Sequence, residues 1–179
     1  GEDLLLSGSN GDPIQSFRYD DGDLWSQNAD GEGYSLTLIV PSLSPDPANA
    51  TSWRSSVDLG GSPGGSDALI FTGTTSNDLL SYALTGPLGG ISASIQSLEV
   101  NGAVDDYLVT AVSANTAADD AEISVEFSAD LETWLSGTAV FLGSDERVDG
   151  VSIDHWRAPT SNAASPPLRF ARVVLVARP

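Results

Sequence analysis

Ala121-Glu122-Ile123-Ser124-Val125-Glu126-Phe127 alternates apolar and polar residues without a break. Side chains of an extended chain point to opposite faces in turn, so Ile123, Val125 and Phe127 share an inward face. Period-two patterning of this kind is the mark of a half-buried β-strand, and the rest of the chain repeats it. Asp3-Leu4-Leu5-Leu6 precedes Ser9-Asn10-Gly11-Asp12, whose Asn-Gly step suits a tight hairpin turn. Ile14 to Tyr19, Tyr34 to Val40 and Ser52 to Val57 read as further short strands, with Pro41 ending the second of these. Beyond residue 90, Ile91–Val100, Asp106–Ser113, Thr138–Leu142, Arg147–Trp156 and Leu168–Ala177 complete about six strands with the first-quoted one. Asp106–Ser113 carries Tyr107, Val109 and Ala111 on one face. Recurrent turns at this spacing predict an all-β, immunoglobulin-like sandwich rather than parallel βαβ units.

One segment departs from the pattern. Leu80 and Leu84 are four apart, Ser76 or Asn77 can serve as an N-cap, and Gly86-Pro87 follows. The spacing predicts a short helix over 77–84. Gly60-Gly61-Ser62-Pro63-Gly64-Gly65-Ser66 offers no side chain able to anchor a core, so it reads as a linker between residues 1–66 and 67–179.

Composition narrows the chemistry. The 179 residues carry a formal charge of −18, all seven basic residues are Arg, Cys and Met are absent, and His155 is the single histidine. Without Cys there is no thiol nucleophile, disulfide or Cys-ligated metal. Without Lys there is no Schiff base and no phosphate-binding lysine of the Walker type. One His cannot build a typical catalytic zinc site. The negative charge repels nucleic acid and anionic lipid, and no apolar run approaches the roughly 18–20 residues of a membrane span. About a quarter of the residues are Leu, Ile, Val or Phe, enough for a packed core. The chain opens on Gly1-Glu2 and is expected to be a piece of a longer polypeptide, so the lack of a targeting segment carries no information.

Two resemblances extend this reading. Phe17-x-Tyr19, Trp25, Ala29-Asp30-Gly31, Gly31-Glu32-Gly33-Tyr34-Ser35-Leu36, Pro41, Asn49-x-x-x-Trp53-Arg54-x-Ser56 and Gly60-Gly61-Ser62-Pro63-Gly64 together resemble the C-terminal half of a bacterial lamin-tail domain, over about residues 1–65. The resemblance implies half of an immunoglobulin-like sandwich, with the family's first strands lying upstream of Gly1. A half-sandwich leaves an inner face wet, at about 25 cal/mol per Å². Residues 1–65 are therefore expected to pack against the second domain or against another copy of the chain. Leu79-Leu80-Ser81-Tyr82-Ala83-Leu84, Val125-Glu126-Phe127-Ser128-Ala129-Asp130-Leu131-Glu132-Thr133-Trp134 and Leu168-Arg169-Phe170-Ala171-Arg172-Val173 look like a β-sandwich tail of large secreted bacterial proteins. Such pairs sit behind kinase-like domains related to spore coat protein H or other large extracellular modules. The resemblance implies a secreted or cell-surface location, an accessory role beside upstream modules of the same polypeptide, and no activity to carry over.

Gly60-Gly61-Ser62-Pro63-Gly64 matches G-x-S-x-G, but a hydrolase elbow needs a strand before the Ser and a helix after it, and here Gly and Pro flank it. Asp154 and His155 are adjacent in a strand, so they face opposite ways and cannot form a catalytic relay. Asp20, Asp21 and Asp23, with Asp30 close behind, form an acidic loop bent by Gly22 and Gly31. Such a loop could supply some of the about six to eight oxygens that Ca²⁺ takes, although the spacing is not that of an EF-hand. Trp25 lies in this loop and is the best candidate for an exposed ligand-stacking ring, whereas Trp53 and Trp134 are expected to be core anchors. The composition and resemblances favour a non-catalytic extracellular structural, adhesive or docking tail, with calcium as an optional stiffener. The alternative is a carbohydrate-binding module that presents exposed aromatic rings to a polysaccharide.

Overall fold

A computed structural model describes residues 1–22, 24–85, 90–146 and 150–178. The chain divides into two compact units, residues 1–69 and residues 70–179. Both are built from antiparallel strands, and one short α-helix lies in the second.

In the first unit, β1 (Glu2–Ser7) and β2 (Pro13–Tyr19) form a hairpin. Gly11 takes the left-handed conformation, at φ 85°, that the Asn-Gly turn requires. β3 (Leu36–Leu38) and β4 (Trp53–Ser55) form a second antiparallel pair. The predicted strand Tyr34–Val40 is cut short because Val40 turns left-handed, at φ 44°, just before Pro41. Two single 3₁₀ turns, Pro41–Leu43 and Ala50–Ser52, lie in the intervening loop, and the Asn49 side chain caps the second by accepting from the Thr51 N–H.

The glycine-rich stretch differs from the linker reading. Ser56 N–H donates to the Ser35 carbonyl at 2.7 Å, and Gly60 N–H to the Gly33 carbonyl at 2.7 Å. Gly61 lies so close to Ser35 that a Cβ would stand 2.8 Å from its Oγ, and its φ is 75°. The segment is folded back along residues 33–35. Absence of side chains, which suggested a spacer, is what permits this close backbone approach.

The second unit opens with α1 (Ser76–Ala83). Its N-cap is Thr75, one residue before the predicted candidates, and Thr75 and Asp78 form a reciprocal capping box. The buried stripe also differs from expectation. Ala83 is fully buried, with Leu79 and Tyr82 packed beside it, whereas Leu80 is 45% exposed. Leu84 reaches the core from an extended residue bridged to Ala114, not from the helix. The predicted stop at Gly86-Pro87 lies outside the described residues.

Six strands follow. β5 (Ser92–Val100), β6 (Ala103–Asn115), β8 (Val140–Glu146) and β9 (Val151–Arg157) make one sheet in the order β5-β6-β9-β8. β7 (Ala121–Ser128) pairs with β10 (Phe170–Ala177) in the other. The core lies between these layers. Leu108 and Val112 of β6 meet Val125 and Phe127 of β7, closed by Ala83, Leu84, Ala158 and Leu168. Trp156, Val173 and Leu175 pack against this cluster, and Ile123 completes the inward face predicted for β7. The second unit is a sandwich-like fold around Phe127, which is wholly buried. Tyr107 and Val109 are also buried, on the other face of β6 from Leu108, so this stretch of β6 is covered on both sides.

Candidate functional site

An aromatic ladder ties the two small sheets of the first unit together. Phe17 and Tyr19 alternate with the exposed Arg18 on β2 and therefore share a face. Phe17 stacks on Trp53 of β4 at 5.5 Å between ring centroids, Trp53 meets Trp25 at 6.5 Å, and Trp25 meets Tyr19 edge-on at 6.3 Å. The Trp53 indole N–H donates to the Pro47 carbonyl at 2.9 Å. Trp25 is half-buried in this stack, not exposed. Asp20 and Asp21 beside it in the chain are exposed, so the ring alone is drawn in, by its contacts with Tyr19 and Trp53.

Of the acidic candidates, Asp20 and Asp21 stand side by side after β2, and both carboxylates lie 3.6 Å from the Gly1 nitrogen. Asp20 accepts the Asp21 N–H at 2.9 Å, and this backbone hydrogen bond holds its carboxyl below the usual range. Asp30 is exposed, and Asp23 lies outside the described residues. Among the described residues, no three His, Asp or Glu side chains gather into a group able to hold a metal.

Arg54, which fell inside the quoted lamin-tail pattern, proves to be the electrostatic centre of the first unit. Its guanidinium donates to Asp67 at 2.6 Å, and both side chains are only 6% exposed. Asp67 also accepts from the Val57 N–H at 3.0 Å and the Ser62 hydroxyl at 2.9 Å. Burial pushes the Asp67 carboxyl up, but these three donors outweigh it and hold the group below the usual range. Ser62, the central residue of the G-x-S-x-G match, is thus a ligand of Asp67 in a turn and not a nucleophile on an elbow. Nothing in the local sequence marks Asp67, because its role depends on a loop closing over 13 residues.

In the second unit, Ser128-Ala129-Asp130-Leu131-Glu132-Thr133-Trp134 forms a cap at the end of β7. Asp130 accepts from the backbone N–H of Thr133 at 2.8 Å and of Glu132 at 2.9 Å, which lowers its pKa. Leu131 sits left-handed at φ 66° to make the turn. The turn delivers Trp134 to Arg172 of β10, whose guanidinium lies 4.4 Å from the ring centroid. Arg172 also pairs with Glu126 of β7 at 2.6 Å, and Glu126 accepts from Ser136. The Ser136 hydroxyl, with Arg172 second, lowers the Glu126 pKa. Trp134 therefore covers a guanidinium at the surface and does not anchor the core as expected. The motif's spacing encodes a turn, and the cross-strand Glu126–Arg172 register gives the ring its partner.

His155 and Asp154 face opposite ways, as their adjacency predicts. The imidazole Nε2 meets Asp145 at 3.0 Å, while Asp154 accepts from the Ser144 hydroxyl at 2.7 Å. Asp154 also accepts from Ser152, so its hydroxyl partners lie on the face away from the His155 imidazole, which pairs with Asp145 instead. Burial raises the Asp154 pKa. On the same sheet face, Thr110 Oγ1 and Trp156 Nε1 are buried with no hydrogen-bond partner among the described residues.

Each Trp ring is engaged by another group: Trp25 by Tyr19 and Trp53, Trp53 also by Phe17, Trp134 by Arg172, and Trp156 by Phe141 at 4.8 Å. All four are half-buried. A sugar platform needs an open ring face, and each of these half-buried rings is already in contact with another group.

Compared with protein-family models, curated proteins and solved structures, the chain matches none.

Proposed function

We propose that the chain is a non-catalytic docking and structural tail of a larger extracellular bacterial protein, and that the β1–β2 hairpin is its docking surface. The hairpin carries this reading. Leu4 is 44% exposed, Leu5 64%, Leu6 59% and Ile14 64%, on a sheet of only two strands. Leu4 pairs with Phe17 and Glu2 with Tyr19, so Leu4 and Leu6 continue the face that bears the aromatic ladder. Leu5 and Ile14 lie on the opposite face, and exposed apolar side chains on both faces of a two-stranded ribbon mark a surface built to be covered, since such a ribbon is marginal by itself. The lamin-tail resemblance implies a cover for this unit from the second domain or another copy of the chain, and the accessory role adds upstream modules of the same polypeptide as docking partners. No described helix is long and apolar enough to cross a membrane. The half-buried Trp rings, each already in contact with another group, weigh against the carbohydrate-binding alternative.

Hydrogen exchange tests the proposal. The β1 and β2 amides are compared in this chain and in the parent polypeptide with its neighbouring modules attached. Stronger protection of both strands in the parent is expected, and equal protection refutes the docking role.

A further inference from the structure

The four-stranded sheet of the second unit ends in two edges that are treated differently. At β8 the register breaks between Phe141 and Gly143, and the strand ends in Asp145-Glu146. A bulge and inward or flanking charges are the usual devices against edge pairing. β5 has no bulge, and its single charge lies near one end. Its nine residues pair with β6 in unbroken register, and they include one ionisable side chain, Glu99, in a chain of net charge −18. Residues 92–97 are all exposed.

The hairpin turn fixes which backbone groups β5 offers. Asn101 and Gly102 both have positive φ, 54° and 80°, and Val100 pairs with Ala103, which makes a two-residue turn of the primed kind. The pair closing such a turn is hydrogen-bonded, and bonded pairs alternate from there. Val100, Leu98, Gln96, Ser94 and Ser92 therefore bond to β6. Ala93, Ile95, Ser97 and Glu99 direct their N–H and C=O groups outward.

We propose that β5 pairs antiparallel with β5 of a second copy of this chain, about a two-fold axis at Gln96. This register places Ile95 opposite Ser97 of the other copy and Ala93 opposite Glu99, so all the outward groups named above are satisfied. An isologous contact of this kind is self-complementary. It sets no acid opposite an acid. The two Glu99 side chains lie about six residues apart along the sheet, roughly 20 Å at about 3.4 Å per residue. The two Asp106 side chains, each held by its own Ser97 hydroxyl, are three strand spacings apart, about 14 Å, beyond the screening length of about 8 Å at physiological salt. At the axis the two Gln96 amides, each now donating to its own Ser94 at 3.2 Å, are complementary to one another. Among antiparallel registers of two β5 strands, this one alone sets the single charge, Glu99, opposite alanine, and that self-complementarity is the ground for a second copy as the occupant.

Sedimentation equilibrium of the full chain tests this from about 1 to about 500 µM, the span in which a modest edge-to-edge pair assembles. The mass is expected to rise from 18.5 kDa toward twice that value. Ser97→Pro removes an outward N–H without touching a backbone bond to β6, although it also loses the Ser97 hydroxyl's bond to Asp106, and is expected to weaken pairing about tenfold or more. Ser97→Ala removes the hydroxyl but keeps that N–H, and is expected to leave pairing intact. Should the proline variant fail to fold, Ala93→Glu decides the matter. It opposes Glu99 of the other copy and is expected to weaken pairing, with Glu99→Lys in the same chain restoring it. A wild-type chain that stays monomeric across the range overturns the proposal. So does a dimer that survives a folded Ser97→Pro or shows no Ala93→Glu and Glu99→Lys rescue. A dimer broken by Leu5→Asp but not by Ser97→Pro assigns the contact to the N-terminal hairpin and overturns it as well.

Discussion

Replacing Arg54 by Met removes the cation from beside Asp67 while nearly keeping side-chain volume. Asp67 is then a carboxylate 6% exposed, left with the Val57 N–H and the Ser62 hydroxyl as its donors. Breaking a buried ion pair from one side costs about 3–5 kcal/mol, because the remaining charge has lost both water and its counter-ion. Two neutral donors remain, so the lower end applies, about 3 kcal/mol. Urea unfolding followed by tryptophan fluorescence reads the loss, since Trp25 and Trp53 report on the first unit. With a slope of about 1–3 kcal/mol per M, the midpoint of that transition falls by roughly 1–3 M. The pH dependence has a definite sign. In the wild type the Asp67 pKa is lowered, so its stabilisation is present above the unfolded carboxylate value of about 3.9 and is lost as pH falls through the lower folded value. In the variant, burial acts unopposed by Arg54, and acidification relieves the penalty by protonating Asp67. The stability gap between the two proteins therefore narrows as pH falls from 7 toward about 4, and Asp67→Asn on the variant background recovers much of the loss at pH 7. A loss under about 1 kcal/mol, or a gap that ignores pH, refutes the pinned-loop account.

A double-mutant cycle of Trp134→Leu and Arg172→Ala should return a coupling of about 0.5–1 kcal/mol in urea melts of the second unit, as for an exposed cation over a ring. Additive losses would mean that the ring and guanidinium merely lie side by side. Asp154→Asn should raise the melting temperature at pH 7 and leave it unchanged near pH 4. The raised folded pKa of Asp154 gives full stability below the unfolded carboxylate value and loses it as pH rises through the folded one. A larger gain at pH 4 than at pH 7 would reverse this assignment. If the acidic loop takes calcium, millimolar Ca²⁺ but not Mg²⁺ should raise the first unit's melting temperature, and Asp21→Asn or Asp23→Asn should abolish the shift. An identical melt with and without Ca²⁺ removes the metal from this loop.

Where chain chemistry acts over a few residues, the sequence was a sufficient guide. The alternation at 121–127 gives β7 with Val125 and Phe127 inside, and the Asn10-Gly11 step turns its hairpin with Gly11 at positive φ. The opposed directions of Asp154 and His155 follow from strand geometry alone. Helix α1 appears within a residue of its expected bounds, but its cap and buried face moved. Which side of a short helix is covered depends on what packs there, and Leu84 is recruited by Ala114, 30 residues on.

Contacts closed over longer spans could not be foreseen. Gly60 to Ser66 has the composition of a spacer, yet Asp67 is drawn to Arg54 and the glycines accept the approach of Ser35. Trp25 sits among acids in the sequence and among rings in the fold, since Phe17, Tyr19 and Trp53 arrive from two separate sheets. Backbone preference and face alternation are properties of neighbouring residues, so the strands, turns and charge were settled before folding. Which guanidinium meets which carboxylate, which ring covers which, and which sheet edge stays open depend on loop closures whose partners share no local pattern, and only the assembled chain decides them.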